Sequence, residues 1–341
     1  MSQAPISSAS DRGIRWGILS TARIGRNAVI PAIKASRNGH VAAVASRDIA
    51  KGKAFAADLA IPRVFESYEA LLADPEIDAI YNPLPNDGHM PWTIAALKAG
   101  KHVLVEKPFA LTVADAEAMI HAAQTADRWL MEAFMYRFHP QHVPVQSILQ
   151  NGALGKLSII RSAFTYSMSA ADTTNVRLQP DLGGGGLWDV GCYCVNSIRW
   201  LSGQEPDWVS GSGTLGTISG VDESFVGLLH FASGLLAHFE CGMRAYNQND
   251  YVITGSSGQL HTLRAFRPDA NPGLIEYARD DKTETITVPA VDQYVLMVEE
   301  FADAILNKRS PRFPPSEALQ NTRVLVALLE SARIGQTMRL E

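Results

Sequence analysis

Over its first 126 residues the chain alternates short apolar runs with helix-forming stretches, and this alternation constrains the fold more than any other feature. Ile14–Leu19 reads as a strand, and a helix-like stretch follows Ser20–Gly25 as far as about Ser36. The run His40–Ala45, a helix over Ile49–Leu59 and the short Arg63–Phe65 come next. Ser67 is placed to cap a helix carrying Leu71 and Leu72, and Ile77–Tyr81 is another strand. Pro91–Ala99 reads as a helix stopped by Gly100, and Lys101–Val105 as a buried strand. Thr112 with Asp115 then opens a helix through about Ala126. Parallel neighbours cannot be joined by a tight turn and need a crossover, which a helix of this length supplies. Repetition of such units predicts an α/β fold with a doubly wound parallel sheet.

The pattern changes near Phe134–Gly155. After a helix around Val143–Asn151, residues alternate with period two over Leu157–Tyr166, Trp208–Leu215, Glu223–Phe231, Leu235–Cys241, Tyr251–Thr254 and Thr283–Val288. Ser233-Gly234 reads as a tight hairpin connection. These strands predict a large, mostly antiparallel sheet in a C-terminal α+β domain, with Tyr294–Leu306 and Ser316–Arg333 closing its back or returning to the first domain. With 341 residues the chain is long for one core and suits two. The expected division is a flexible arm over 1–13, a first domain over 14–135, whose motifs below mark it as dinucleotide-binding, and a second over 136–341, left for substrate binding and oligomerisation. An exposed face on the second sheet would make a homodimer natural.

Charge narrows the possible partners. A net charge of −5 supplies no basic footprint for nucleic acid, and no apolar run is long enough to span a bilayer. The first ten residues have neither a basic nor an apolar export region, so the reading is a cytoplasmic protein. Three cysteines with no metal-like spacing read as buried thiols.

Glu106-Lys107-Pro108 closes the strand Lys101–Val105, and side chains at the carboxyl end of a parallel strand stand where ligands of open α/β sheets collect. The first strand–helix turn, Ser20-Thr21-Ala22-Arg23-Ile24-Gly25, aligns with the Gly-x-Gly-x-x-Gly dinucleotide pattern, with small residues in two of the three glycine places. At the end of the second strand an NAD site places an acid for the ribose 2′-hydroxyl, whereas this chain has Ser46-Arg47. A hydroxyl and a guanidinium suit a 2′-phosphate, so NADP is the expected cofactor, with Asp48 capping the following helix.

Taken with Asn82-Pro83-Leu84-Pro85-Asn86, His89 and the segment Gly183–Tyr193, these features make the chain resemble the glucose–fructose oxidoreductase / inositol dehydrogenase (Gfo/Idh/MocA) family over nearly its whole length after residue 13. Met131–Pro140 and the Asp-x-Gly-x-Tyr segment are most similar to its branch of glucose–fructose oxidoreductase, aldose–aldose oxidoreductase, NADP-linked xylose dehydrogenase and dimeric dihydrodiol dehydrogenase. The resemblance implies that Ser20, Thr21, Ala22, Arg23 and Ile24 meet the pyrophosphate, and Ser46 and Arg47 the 2′-phosphate. It puts Leu84, Pro85, Asn86 and His89 on the ribose and nicotinamide side, and Glu106 and Lys107 beside the reacting carbon. Asp189 and Tyr193 match the family's acid and its catalytic His-or-Tyr position; Tyr in place of the His of many members points to the sugar-oxidoreductase branch.

The implied chemistry is hydride transfer between an aldose carbinol and nicotinamide, giving a lactone, with a second sugar as the alternative acceptor. Tyr193 is assigned as acid/base, Lys107 as the cation that would stabilise its phenolate, and Asp189 as acceptor of a sugar hydroxyl. Arg137, Trp188 and Tyr294 are expected to join the substrate site; the alternatives are a helix-end salt bridge for Arg137 and ordinary aromatic packing for Trp188 and Tyr294. Glu132, His139 and His142 offer no convergent ligand set, and hydride transfer needs no metal, so none is expected. A trans-dihydrodiol dehydrogenase and a non-catalytic NADP-sensing regulator are the alternative functions.

Overall fold

The computed structural model describes residues 13–169, 172 and 174–340; the N-terminal arm expected over 1–13 lies outside the described residues apart from Gly13. The first sheet holds β1 (Ile14–Leu19), β2 (Gly39–Ala45), β3 (Val64–Phe65), β4 (Ala79–Asn82), β5 (His102–Val105) and β6 (Leu130–Glu132). All pairs are parallel and the spatial order is β3-β2-β1-β4-β5-β6. The order reverses between β1 and β4, so the carboxyl ends of these neighbours, at Leu19 and Asn82, flank the crevice where ligands of such sheets bind. Helices cover both faces, which explains why Val103, Leu104 and Val105 in β5 are all buried rather than alternating. The expected caps form: Ser67, Thr112 and Asp48 accept the backbone N–H groups of Ala70, Asp115 and Lys51.

The second sheet comprises β7 (Leu157–Ser167), β8 (Trp208–Leu215), β9 (Asp222–His230), β10 (Leu236–Gly242), β11 (Arg244–Gly255), β12 (Gln259–Leu263), β13 (Gly273–Arg279), β14 (Lys282–Val288) and β15 (Met338–Arg339). It runs β14-β13-β12-β11-β7-β10-β9-β8-β15 and is antiparallel except where β7 meets β10. Four of its features were not legible in the sequence: β12, β13, β15, and the first half of β11. Residues 244–250 are mostly polar, and their pairing with β7 breaks register between Arg244 and Gln248. The Ser233-Gly234 connection is present, with Gly234 at φ +85°.

Both long C-terminal helices bind the two sheets together. Gln293–Leu306 packs on the helix Ile30–Ala35, with Trp16 and Phe301 ring centroids 5.9 Å apart and Asn38 donating to the Glu299 carbonyl at 2.8 Å. Pro315–Ile334 lies against β8, the helix Val113–Ala126 and the helix Cys192–Ser202. The other face of the second sheet is open, leaving Ile159, Val226, Leu228 and Leu236 each about half exposed. Among the described residues no helix is long and apolar enough to cross a membrane.

Candidate active site

A cavity of about 950 Å³ opens over the switch point of the first sheet and extends to the second. Its floor is the turn after β1. The place of the first glycine of a dinucleotide loop is taken by Ser20, which adopts the left-handed conformation (φ 67°) that a glycine would take at no steric cost. The tight turn is therefore kept despite the residue change, and Thr21, Ala22 and Ile24 line the cavity. Past the end of β2, Ser46, Arg47, Asp48, Lys51 and Tyr68 form one end. Arg47 lies beside the Tyr68 hydroxyl, and the Asp48 carboxylate is turned toward its helix, accepting the Lys51 N–H at 3.0 Å. That end offers two cations, and its nearest acid is engaged as a cap.

The opposite end is built where β5 meets the segment after Gly183. Gly185 has φ +128°, and a Cβ there would stand 2.2 Å from Asp222 Oδ1. Only glycine allows Asp222, from β9, to come this close and accept the Leu187 N–H at 2.6 Å. The turn Leu187–Gly191 and the helix Cys192–Ser202 start from this anchor and carry Asp189 and Tyr193 into the cavity. Asn86 ties the segment to the first sheet by donating to the Gly183 carbonyl at 2.8 Å.

Lys107, Asp189 and Tyr193 are brought together as expected. Lys107 Nζ donates to the Asp189 carbonyl at 2.7 Å and to its Oδ1 at 3.2 Å, and stands 5.2 Å from the centre of the Tyr193 ring. Asp189 Oδ2 also accepts from the Tyr166 hydroxyl at 2.7 Å and pairs with Arg177 Nε at 2.8 Å. Burial opposes ionisation of Asp189, but Lys107 and Arg177 outweigh it and hold the carboxyl well below the usual range. Burial likewise opposes the Lys107 charge, and Asp189 outweighs it.

Two sequence-based assignments change in this geometry. Tyr193 is not activated as a phenolate: burial, then Tyr294 and Glu106, push its hydroxyl well above the ordinary phenol range. Its sole hydrogen-bond contact among the described residues is Met135 Sδ at 3.3 Å, a weak acceptor, while the Lys107 charge is already engaged by Asp189. Asp189, with Oδ2 filled by two donors and Oδ1 by Lys107, is an anchor for two cations more than an open acceptor for sugar hydroxyls.

Of the other expected residues, Leu84, Pro85, Asn86, His89, Glu106, Arg23 and Tyr294 line the cavity. His89 is fully buried and clamps two loops, with Nδ1 at 2.8 Å from the Pro108 carbonyl and Nε2 at 3.0 Å from that of Leu84; burial lowers it to about 4, leaving a neutral ring. Glu106 accepts from the Tyr81 hydroxyl at 2.6 Å. Arg137 and Trp188 do not reach the cavity. Arg137 lies over the Phe313 ring, 3.5 Å from its centre, and pairs with Glu317 at 3.4 Å, while Trp188 is packed in the core. Sequence reasoning missed Lys51, Tyr68, Tyr166, Arg177 and Arg267, all of which line the cavity. Lys51 carried a signal, since it stands four residues after Arg47 at a helix start. Tyr166 reaches Asp189 from β7 and Arg177 from the turn Val176–Leu178, and neither carried one.

A switch-point crevice with a glycine-like first turn, cations past β2 and a Lys-Asp-Tyr cluster opposite defines a dinucleotide-dependent oxidoreductase architecture. Residues 14–134 match the oxidoreductase family with an NAD-binding Rossmann fold, and residues 142–261 the GFO/IDH/MocA C-terminal domain. The chain is 38% identical to D-xylose 1-dehydrogenase (NADP(+)) 2 of Haloferax volcanii, over 96% of this chain and 99% of that protein. In structure it is similar to a 3-ketoreductase from Actinomadura kijaniata solved with NADP and TDP-benzene (TM-score 0.89, 31% identity, 94% of this chain and 98% of that one). It is also similar to the aldose-aldose oxidoreductase of Caulobacter crescentus complexed with glycerol (TM-score 0.89, 28% identity, 96% and 100% covered). The chain belongs to the Gfo/Idh/MocA oxidoreductase family.

Proposed function

We propose that this protein is an NADP-dependent oxidoreductase that moves a hydride between the anomeric carbon of an aldose and nicotinamide, giving the lactone, with a second sugar able to take up the same hydride. The observation that carries this reading is one continuous cavity with Ser46, Arg47 and Lys51 at one end and Lys107, Asp189 and Tyr193 at the other. NADP fits the first end: two cations and a hydroxyl match a 2′-phosphate, and the acid that would favour a free 2′-hydroxyl is used as a helix cap. The likeness to a xylose dehydrogenase and to an aldose-aldose oxidoreductase supports sugars as substrates.

Bound nicotinamide supplies the hydride acceptor and donor. In the reducing direction the protonated Tyr193 hydroxyl gives its proton to the substrate oxygen as hydride adds to the carbonyl carbon. In the oxidising direction the resulting phenolate takes the hydroxyl proton of the next sugar as hydride leaves its carbon, which restores the phenol. Lys107, held by the carbonyl and carboxylate of Asp189, presents a fixed ammonium to the charge on that oxygen. Arg177 and Tyr166 keep Asp189 in place from the other side. A sensor that only bound nucleotide would have no use for this proton donor. The half-exposed Ile159, Val226, Leu228 and Leu236 on the open sheet face suit burial against a second copy of the chain, making a homodimer the proposed assembly.

The test is to denature purified protein, identify any released nucleotide, and then offer the native protein a panel of sugars without added cofactor. NADP or NADPH should be released, and lactone and alditol should form in equal amounts. An empty enzyme that oxidises aldoses only with stoichiometric NADP would leave a simple dehydrogenase, and release of NAD would overturn the cofactor reading.

A further inference from the structure

A second cavity, of about 260 Å³, shares no lining residue with the first. Its wall is one face of the helix His142–Gln150, on which His142, Gln146 and Gln150 recur four residues apart. Arg137 and His139 come from the preceding segment, Trp200 from the helix Cys192–Ser202, and Arg312 from the segment between the two C-terminal helices. Among the described residues the lining contains two arginines, two histidines and two glutamines but no carboxylate.

Three groups in this wall are buried donors without acceptors. Arg137 is buried, yet its only ion pair among the described residues is the 3.4 Å contact with the partly exposed Glu317, and its Nε has no partner. The guanidinium also lies over the Phe313 ring, and burial pulls its pKa down more than Tyr136, Glu317 and Glu132 raise it. His139 Nδ1 accepts the Gln141 N–H at 3.1 Å, which puts the proton of the neutral ring on Nε2, and that N–H also lacks a partner. Gln146 Nε2 is a third buried donor with none. Arg312 is exposed at the rim, and its guanidinium has no ion pair among the described residues. Buried donors and charges of this kind are ordinarily satisfied. A ligand with several acceptor oxygens and negative charge would satisfy them together, and Arg in particular pairs with carboxylate or phosphate through parallel hydrogen bonds.

We propose that this cavity is a second ligand site, separate from the candidate active site, that binds a small oxyanion through Arg137, His139, Gln146 and Arg312. Phosphate and carboxylate share the chemistry it recognises, and the two probes below separate them. Its size excludes a dinucleotide and suits a single anionic group with a few attached atoms. Trp200 at its edge provides a reporter, since the Arg137 guanidinium stands 5.1 Å from the centre of the indole ring.

The experiment is titration calorimetry of the purified full chain with inorganic phosphate and, separately, with succinate, alongside Trp fluorescence. Saturable binding of at least one is expected. It should weaken about tenfold or more in Arg312→Ala, which removes a charge-assisted contact, and in Gln146→Glu, which adds a carboxylate to the wall. With NADP saturating the first cavity, whose Arg47 and Lys51 would otherwise take up phosphate themselves, the wild type should bind the anion with the same affinity. Both wall variants change residues that are not fully buried, and circular dichroism establishes their folding; should one fail to fold, the other decides. No saturable binding of either anion, or affinities in the folded wall variants within about twofold of wild type, would overturn the proposal.

Discussion

Replacing Tyr193 with Phe separates catalysis from packing more cleanly than any other change in this protein. The ring is wedged among Phe134, Phe164, Tyr136 and Phe266, with centroids 5.1 to 5.8 Å away, and Phe keeps all of those contacts. The hydroxyl's only partner among the described residues is a thioether sulfur, so its loss should cost about 0.5 kcal/mol or less, the bottom of the range for a net hydrogen bond. Proton transfer is another matter. Removing a general acid/base lowers turnover by about 10²–10⁴, or about 2.7–5.4 kcal/mol of transition-state stabilisation. The variant should therefore melt within a degree or two of wild type and bind NADP unchanged, while the rate of lactone formation from the best sugar of the panel shows the collapse in kcat. Lys107→Met should also suppress turnover, and the double variant should be little worse than the poorer single one if the pair acts as a unit. Turnover in Tyr193→Phe within about tenfold of wild type would remove Tyr193 from the mechanism and leave Lys107 as the proton-transfer group.

Two further outcomes follow from the geometry. Arg47→Ala should weaken NADP but not NAD, by about 10-fold rather than the 150-fold upper end for a charge-assisted contact, because Lys51 remains at the same end of the cavity; equal losses in competitive titrations would reassign Arg47. Glu132 is buried, and although the Phe109 N–H at 2.7 Å favours its charge, burial raises its pKa to about 8 from an ordinary value of 4.5. Its neutral form is thus favoured by folding, so its contribution is intact below about pH 4.5 and is lost as pH rises toward 8. Glu132→Gln should flatten the fall in melting temperature between about pH 5 and 8, and parallel melting curves for the two proteins would refute the shift.

The amino-acid order alone carried the first sheet. Each βα unit announces itself locally, through an apolar run, a capping side chain such as Asp48, Ser67 or Thr112, and a helical stretch, so near-neighbour physics suffices to read it. Lys107 and Tyr193 were legible for a related reason, since one ends a strand and the other follows a glycine run at a helix start. β12, β13 and the polar half of β11 were not, because their strand conformation comes from pairing with distant edges rather than from their own periodicity. What those side chains do was likewise decided in three dimensions. Arg177 and Tyr166, remote in sequence from Lys107, fill the Asp189 carboxylate and turn an expected sugar acceptor into an anchor. Burial among aromatic rings and beside Glu106 keeps the Tyr193 phenol protonated, and the path of the chain after β6 carries Arg137 away from the active site into a separate cavity. Charge and proton state depend on solvent exclusion and on partners brought by tertiary contacts, and neither quantity exists until the chain has folded.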